Sequence, residues 1–286
     1  MFKGSLGIWV DGARPRTLPA AIAPVLVATA LAGDSFNPFT ALLALIVSLA
    51  LQIGVNYAND YSDGIRGTDN DRIGPSRITA GGLAKPVQVK IAAFISFGVA
   101  AVAGLGLAIT TSWWLIAVGA ISIAAAWGYT GGKNPYGYIG LGELFVFIFF
   151  GLVATVGTYY VQTEEITAQS ILAGTIVGSL ACAILVINNV RDRAKDEVVG
   201  KRTLAVRLGD QNSRILYSAL VTAPYLLTAG FGSPWTMLTL LTLPMTISIL
   251  KALWSGIQGA ELIALLGKTG KLQMLFSLAL SLALII

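Results

Sequence analysis

Carboxylates and amides recur one helical turn apart directly after two apolar stretches of this sequence. Residues 56–63, NYANDYSD, follow the apolar run ALLALIVSLALQIGV, and residues 188–196, NNVRDRAKD, follow a second such run. Because positions three and four apart share one face of a helix, each segment predicts a polar stripe at the end of an apolar helix. The two stripes comprise Asn56, Asn59, Asp60 and Asp63, and Asn188, Asn189, Asp192 and Asp196.

These carboxylates need a cation, and the composition restricts which one. An acidic side chain costs about 3 kcal/mol at the bilayer centre and less near the interface, and clustering like charges adds to that cost. The chain has no histidine, and its one cysteine, Cys182, lies in an apolar run where we expect a buried core residue. Imidazole and thiolate metal sites are therefore excluded. Lysine, arginine or a hard metal remain, and ligands with oxygen atoms alone favour Mg²⁺.

Basic side chains crowd the same segments. Carboxylates, a metal and Arg or Lys side chains together can hold a diphosphate and stabilise it as a leaving group. Tyr129 and Lys133 leave the fourth apolar stretch four residues apart and could donate to phosphate oxygens, while Glu143 is either an arginine partner or a contact to an acceptor molecule. Solvated loop charge is the competing interpretation for any one of these residues, but it accounts poorly for two matched stripes. The cations are Arg66, Arg72, Arg77, Lys133, Arg191, Lys201 and Arg202.

The elements that carry these residues are predicted to be membrane-spanning helices. Of the 286 residues, 55% are hydrophobic and 12% are charged, and the mean hydropathy is +0.76, whereas soluble domains carry about 25% charged residues. Residues 1–286 are predicted to form a single all-α domain, and eight further spans argue against reading the first stretch as a cleaved signal peptide. The nine predicted spans are 18–33, 40–58, 88–110, 112–128, 139–160, 168–188, 215–231, 234–254 and 270–286.

Basic residues are confined to alternate connections between the predicted spans. Counting Lys90, Lys251 and Lys271 at the ends of the adjoining spans, all 19 Lys and Arg lie before the first span or after the second, fourth, sixth and eighth. The other connections (GDSFNP, TTS, QTEEIT, GFGSP) have none. This asymmetry predicts a multi-pass protein of the cell membrane, surrounded by lipid, with a cytoplasmic N-terminus and the C-terminus on the opposite side. The net charge of +5 is thereby explained by topology, and we expect no nucleic-acid partner. The segments 59–87 and 189–214 are predicted as cytoplasmic loops.

Four sequence motifs resemble those of the UbiA superfamily of intramembrane prenyltransferases. The resemblance rests on ARPRTLPAAIAPV at 13–25, NDYSDGIRGTDNDRIGPSRITAGG at 59–82, GYTGGKNPYGYIGLGE at 128–143 and NNVRDRAKDEVVGKRTLAVRLG at 188–209. It implies nine helices bundled around a central cavity open to lipid. The GTDN and GKRTLAVRLG stretches resemble the branch that transfers a polyprenyl chain from polyprenyl diphosphate to 1,4-dihydroxy-2-naphthoate. That reaction releases CO₂ and diphosphate and gives demethylmenaquinone.

The resemblance also implies roles for individual residues. The chain departs from the family pattern at Gly67, where an Asp is usual, and leaves open whether Asp69 or Asp71 contacts metal. The implied Mg²⁺ ligands are Asn59, Asp60, Asp63, Asp69, Asp192 and Asp196. The implied diphosphate ligands are Asn56, Asn59, Arg72, Arg77, Tyr129, Lys133, Lys201 and Arg202. Lys133 and the four aspartates Asp60, Asp63, Asp192 and Asp196 are the implied catalytic residues. Arg14, Arg16 and Glu143 are the candidates for binding the aromatic acceptor.

Two alternatives stay open from the sequence. Within the superfamily, the acceptor could be 4-hydroxybenzoate, homogentisate, haem or a chlorophyll precursor. From another class, intramembrane Asp pairs also occur in cation-coupled transporters. A transporter would place its carboxylates near the membrane midplane, whereas here they cluster at one end of the helices beside many cations.

Overall fold

The computed structural model describes residues 5–68 and 77–286, and within these ranges the regular structure is helical, with no strand. This confirms the predicted all-α class. The predicted site residues Asp69 and Arg72, and Asp71 with them, lie outside the described residues. The helices are α1 (Ser5–Ala13), α2 (Pro19–Leu31), α3 (Pro38–Arg66), α4 (Pro86–Thr110), α5 (Leu115–Gly128), α6 (Gly142–Val146), α7 (Ala154–Thr163), α8 (Ala168–Val198), α9 (Leu204–Leu227), α10 (Leu243–Trp254) and α11 (Leu262–Ile285).

Each of the nine predicted apolar stretches falls on a helical segment of the structure. A π-helical segment (Phe147–Val153) joins α6 to α7, and a 3₁₀ segment (Pro234–Thr242) leads into α10. Six described segments are long and apolar enough to cross a membrane by length and composition, and α2 and α5 are apolar but shorter. The all-α bundle is therefore established, while the number of spans remains a prediction.

Helix α8 lies at the centre of the bundle. Over its most apolar window 78% of residues are buried, against 22–44% for the other five long segments. The π-helical segment packs closely against α8 at Gly151 and Gly178. A Cβ on Gly151 would lie only 2.6 Å from the Gly178 Cα, so there is no room for a side chain at this crossing. Small residues at such a crossing let two backbones pack directly on each other. The central position of α8 gives the polar residues at its end a fixed place in the bundle.

Much of the sequence predicted as cytoplasmic loops is helical, which corrects that prediction. Helix α3 continues to Arg66 and ends at Gly67 (φ 73°), and α8 continues to Val198 before Gly200 (φ 75°). Helix α9 starts directly after Thr203, whose side chain accepts a hydrogen bond from the Val206 N–H. These segments stay helical because their polar side chains face partners and a cavity inside the bundle. The positions of the carboxylates are therefore set by rigid helices.

Candidate active site

A cavity of about 300 Å³ runs along the inside of the bundle and brings the two polar stripes together. One wall is a face of α3 with residues at helical spacing from Ala44 to Asp63, which is roughly 28 Å at 1.5 Å per residue. The wall is mainly apolar toward Ala44 and becomes polar at its C-terminal end. Both stripes contribute there, through Asn56, Asn59 and Asp63 from α3 and through Asn188, Asn189, Asp192 and Asp196 from α8.

Among the described residues, four basic side chains line the cavity together with these groups. They come from three separate parts of the chain, so only the folded bundle brings them together. They are Arg14, Arg77, Lys195 and Lys201. Within residues 5–68 and 77–286, no three carboxylate, histidine or cysteine side chains form one metal-binding cluster. The carboxylates of α3 and α8 instead belong to two separate walls of the cavity.

Asp63 is held by a tyrosine that the sequence analysis does not single out. The Tyr138 hydroxyl donates to Asp63 Oδ1 (2.8 Å), and the Tyr138 ring lies 5.3 Å from the Arg66 guanidinium and 5.1 Å from Lys201 Nζ. Burial and, next, the charge of Asp63 raise the pKa of Tyr138 well above its ordinary value. Tyr138 therefore stays protonated and orients the carboxylate. The signal in the sequence is the third Tyr of GYTGGKNPYGYIGLGE, which the sequence does not distinguish from the other two.

Replacing Tyr138 by phenylalanine is expected to lower the kcat/KM of the reaction at this site by about 10-fold, because a hydrogen bond to a charged group is lost. The ratio of variant to wild-type activity should stay constant between about pH 6 and 9, since the raised pKa keeps the phenol protonated throughout. Steady-state assays across this range provide the measurement. A ratio that changes with pH would show that the hydroxyl titrates and would contradict this role.

Asp60 occupies a different environment from Asp63. It is buried, and its two carboxylate oxygens accept hydrogen bonds from the backbone N–H groups of Ile78 (2.9 Å) and Thr79 (2.8 Å). It is not one of the residues that line the cavity, whereas Arg77, next to this anchored segment, is. Asp60 therefore fixes the backbone that carries Arg77.

The carboxylates of α8 have basic neighbours. Asp192 accepts from Arg191 Nε (2.7 Å), and Asp196 Oδ1 lies 3.7 Å from Lys201 Nζ. Asn189, which also lines the cavity, donates from Nδ2 to Glu143 Oε1 (2.9 Å). Because both Glu143 and Asn189 are buried, this hydrogen bond places Glu143 in the packing of the bundle.

The N-terminal turn closes the cavity over Asn56. Asn56 Nδ2 donates to the Ala13 carbonyl (2.8 Å) and to Thr17 Oγ1 (3.1 Å), and Arg14 Nη2 donates back to the Asn56 carbonyl (3.2 Å). Arg14 takes a left-handed conformation (φ 53°), which few non-glycine residues adopt outside sites that require it. Arg14 lines the cavity, whereas Arg16 is exposed and does not.

Two predicted diphosphate ligands lie outside the cavity lining. Lys133 is exposed, because the chain leaves the helix at Tyr129 and turns through Gly132 (φ 77°), so Tyr129 and Lys133 share no helix face. Arg202 is also exposed, and its backbone N–H donates to the Tyr138 carbonyl. Tyr129 does line the cavity, and the nearby Thr130 donates to Asn59 Oδ1 (2.7 Å).

Comparisons with known proteins agree with this architecture. The UbiA prenyltransferase family matches residues 21–280. A 1,4-dihydroxy-2-naphthoate octaprenyltransferase of Mycobacterium tuberculosis is 49% identical, over 97% of this chain and 96% of its own. The protein of the same name from Escherichia coli is 40% identical, over 84% of this chain and 82% of its own.

Solved structures share the fold at low sequence identity. A UbiA homolog from Aeropyrum pernix superposes with a TM-score of 0.70 at 16% identity, covering 92% of this chain and 96% of its own. A UbiA homolog from Archaeoglobus fulgidus, solved with GPP and Mg²⁺, has a TM-score of 0.66 at 15% identity and covers 97% of this chain and 99% of its own. These two structures establish likeness of fold.

Proposed function

The chain belongs to the UbiA prenyltransferase family, and from this we propose that it transfers a polyprenyl chain from polyprenyl diphosphate to 1,4-dihydroxy-2-naphthoate. The products would be demethylmenaquinone, CO₂ and diphosphate. One observation carries the proposal: a long apolar cavity ends where two Asn/Asp stripes meet four cations. This cavity matches a substrate with an apolar tail and an anionic head. The choice of acceptor is supported by the names of the relatives that match nearly the whole chain.

The oxygen donors of the cavity fit Mg²⁺. Of the residues that the structure describes, those at the cavity's polar end offer carboxylate and amide oxygens and no sulfur or imidazole. Mg²⁺ is usually held by one or two carboxylates with substrate phosphates and water. Because the carboxylates lie on two walls, we propose that the diphosphate completes the coordination between them. Bound Mg²⁺ would neutralise charge that develops on the leaving diphosphate. Asp63, Asp192 and Asp196 would hold it, with Asn59 assisting.

The side chains around the metal ligands would bind the diphosphate and the acceptor and stabilise the allylic cation. Arg77 and Lys201 would bind phosphate oxygens, and Tyr129 could donate a hydrogen bond there. Arg14 would meet the carboxylate of the acceptor. Aromatic rings line the cavity next to this region, where Tyr136 and Phe145 stack at 4.0 Å and Phe149 continues the row. Their faces would stabilise an allylic cation, and the apolar walls would keep away water that would trap it.

The chain is an integral membrane protein, given its long apolar helices and its family. We further propose that it resides in the cell membrane, with the polar end of the cavity and the N-terminus on the cytoplasmic side. The support for this orientation is the confinement of Lys and Arg to alternate connections.

Turnover of the purified protein in nanodiscs tests the proposed function. Labelled polyprenyl diphosphate and Mg²⁺ are supplied with either 1,4-dihydroxy-2-naphthoate or 4-hydroxybenzoate. Prenylated naphthoquinol with release of CO₂ is expected. Prenylated benzoate alone would keep the family and change the acceptor, whereas folded protein that consumes no diphosphate with either acceptor would contradict the proposal.

The apolar part of the cavity should limit the length of the tail. Gly119 of α5 lines it, and a Cβ there would meet open space. Gly119→Leu is therefore expected to fold but to fill room that a long tail needs. We expect at least a 10-fold loss of kcat/KM with long-chain donors and little change with geranyl diphosphate.

Gly98 of α4 supplies the matched control. A Cβ at Gly98 also meets open space, but this residue is exposed and does not line the cavity. Gly98→Leu should leave the dependence on chain length unchanged. An equal loss with short and long donors in Gly119→Leu would argue against a role in accommodating the tail.

A further inference from the structure

Lys195 is a partly buried lysine with an enclosed Nζ, and the reaction outlined above assigns it no role of its own. It lies in the last turn of α8 and lines the cavity, yet its Nζ is enclosed and donates no hydrogen bond to any residue that the structure describes. Taking an ammonium out of water without a partner is costly. A favourable interaction with the end of the helix dipole would be available to an exposed lysine as well. The enclosed position of Nζ therefore calls for a different explanation.

Helix geometry separates Lys195 from the pair formed by Asp196 and Lys201. Successive residues of a helix are rotated by about 100°, so Lys195 lies on one edge of the cavity-facing side of α8 and Asp196 on the other. Asn188 and Ile184 share the edge of Lys195, and both line the cavity. Lys201, which lies 3.7 Å from Asp196, therefore serves the opposite edge. Lys195 adds a separate positive charge to the cavity.

We propose that Lys195 Nζ binds an anionic oxygen of a substrate in this cavity. This inference rests on the proposed function, which supplies two anions of suitable chemistry: the diphosphate of the donor and the carboxylate of the acceptor. Either one would give the enclosed ammonium a partner that residues 5–68 and 77–286 do not provide. Lys195 would then be a substrate-binding residue, and the position would require a positive charge and not merely a long side chain.

Binding and stability measurements on three variants test the assignment. Lys195→Met removes the charge at similar length, Lys195→Arg keeps it, and Lys268→Met is the control, since Lys268 is exposed on α11 and lies outside the cavity lining. Calorimetry in nanodiscs, without turnover, would use inorganic diphosphate and, separately, 1-hydroxy-2-naphthoate as an acceptor analogue. Thermal unfolding without ligand reports on stability, and KM is measured for each substrate.

We expect Lys195→Met to weaken binding of one anion by about 10-fold or more and to raise the KM of the corresponding substrate. Lys195→Arg should retain most of the affinity, Lys268→Met should match wild type, and the unliganded Tm of Lys195→Met should not fall. A diphosphate effect assigns Lys195 to the donor, and a naphthoate effect assigns it to the acceptor. Unchanged binding of both anions by Lys195→Met would overturn the inference.

Other outcomes also decide the matter. If Lys195→Met does not fold, Lys195→Gln and Lys195→Arg are compared: equal affinity of these two variants for both anions would overturn the inference. Wild-type protein that binds neither anion would overturn it as well. If wild-type protein binds the anions in a Lys195-dependent manner but transfers no prenyl group, the proposed function fails while the anion site stands.

Discussion

Asp63→Asn is expected to lower kcat for prenyl transfer by about 100-fold or more, the range seen when one preorganised electrostatic contact is removed from an active site. The substitution keeps the shape of the side chain and removes its negative charge. Asp63 lines the cavity and is oriented by Tyr138, and in the proposed function its charge would hold Mg²⁺. The variant should also need a higher Mg²⁺ concentration for half-maximal activity.

A titration of activity with Mg²⁺ after treatment with a chelator is the measurement. Asp192→Asn should behave like Asp63→Asn, because Asp192 lines the facing wall on α8. Glu165→Gln is the control, since Glu165 is exposed just after the C-terminal end of α7 and does not line the cavity. If Asp63→Asn kept the wild-type Mg²⁺ requirement, its assignment as a metal ligand would be wrong.

Asp60→Asn is expected to reduce kcat/KM by about 10- to 100-fold by a different route. Its carboxylate accepts from two backbone N–H groups, and hydrogen bonds to a charged group contribute about 1.5–3 kcal/mol each. Asparagine has one acceptor oxygen, so its amide would face the second N–H and one anchor would be lost. Arg77 would then be displaced, which should raise the KM for the prenyl diphosphate more than it lowers kcat.

Hydrogen exchange of residues 77–80 and a Mg²⁺ titration distinguish anchoring from metal binding. Anchoring predicts faster exchange of the Ile78 and Thr79 amides in Asp60→Asn, with an unchanged Mg²⁺ requirement. A shift in Mg²⁺ dependence equal to that of Asp63→Asn, with exchange unaltered, would favour the interpretation from the sequence that Asp60 is a metal ligand. Asp60 and Asp63 have the same side chain and are three residues apart on α3. A difference between the two variants therefore reports on the different contacts of the two carboxylates.

The contacts of Asp60 show that helical spacing predicts the face of a helix but not the partner of each side chain on it. Spacing correctly places Asn56, Asn59 and Asp63 on one side of α3, because the helical repeat is a local property. It also assigns Asp60 to the same stripe, although Asp60 lies toward the edge of that side and meets the backbone of Ile78 and Thr79. Which neighbour covers the edge of a helix depends on a segment that lies well beyond that helix in the chain.

Lys133 and Tyr138 also show this limit of prediction from spacing: the first is predicted in the site and is exposed, and the second is in the site and is not predicted. Both occur in one glycine-rich stretch, and a four-residue interval favours Lys133 as the companion of Tyr129. The left-handed turn at Gly132 (φ 77°) breaks the helical relation and leaves Lys133 exposed. The same stretch brings Tyr138 back to Asp63, 75 residues away in sequence. The glycines indicate that the chain turns here. They do not indicate in which direction the chain continues, and so they do not predict that Tyr138 reaches Asp63.

The sequence by itself determined the helical class, the apolar segments, the two polar stripes and the family resemblance, because each depends on composition, a short repeat or a motif that lies along the chain. Only the tertiary structure decided which carboxylates face the cavity, which tyrosine orients Asp63, and that the Lys195 ammonium is enclosed. Hydrophobic burial and helical hydrogen bonding follow local rules, and so they can be inferred from neighbouring residues. The partner of a buried charge is supplied by whichever distant segment packs against it, and that choice exists only once the bundle has formed.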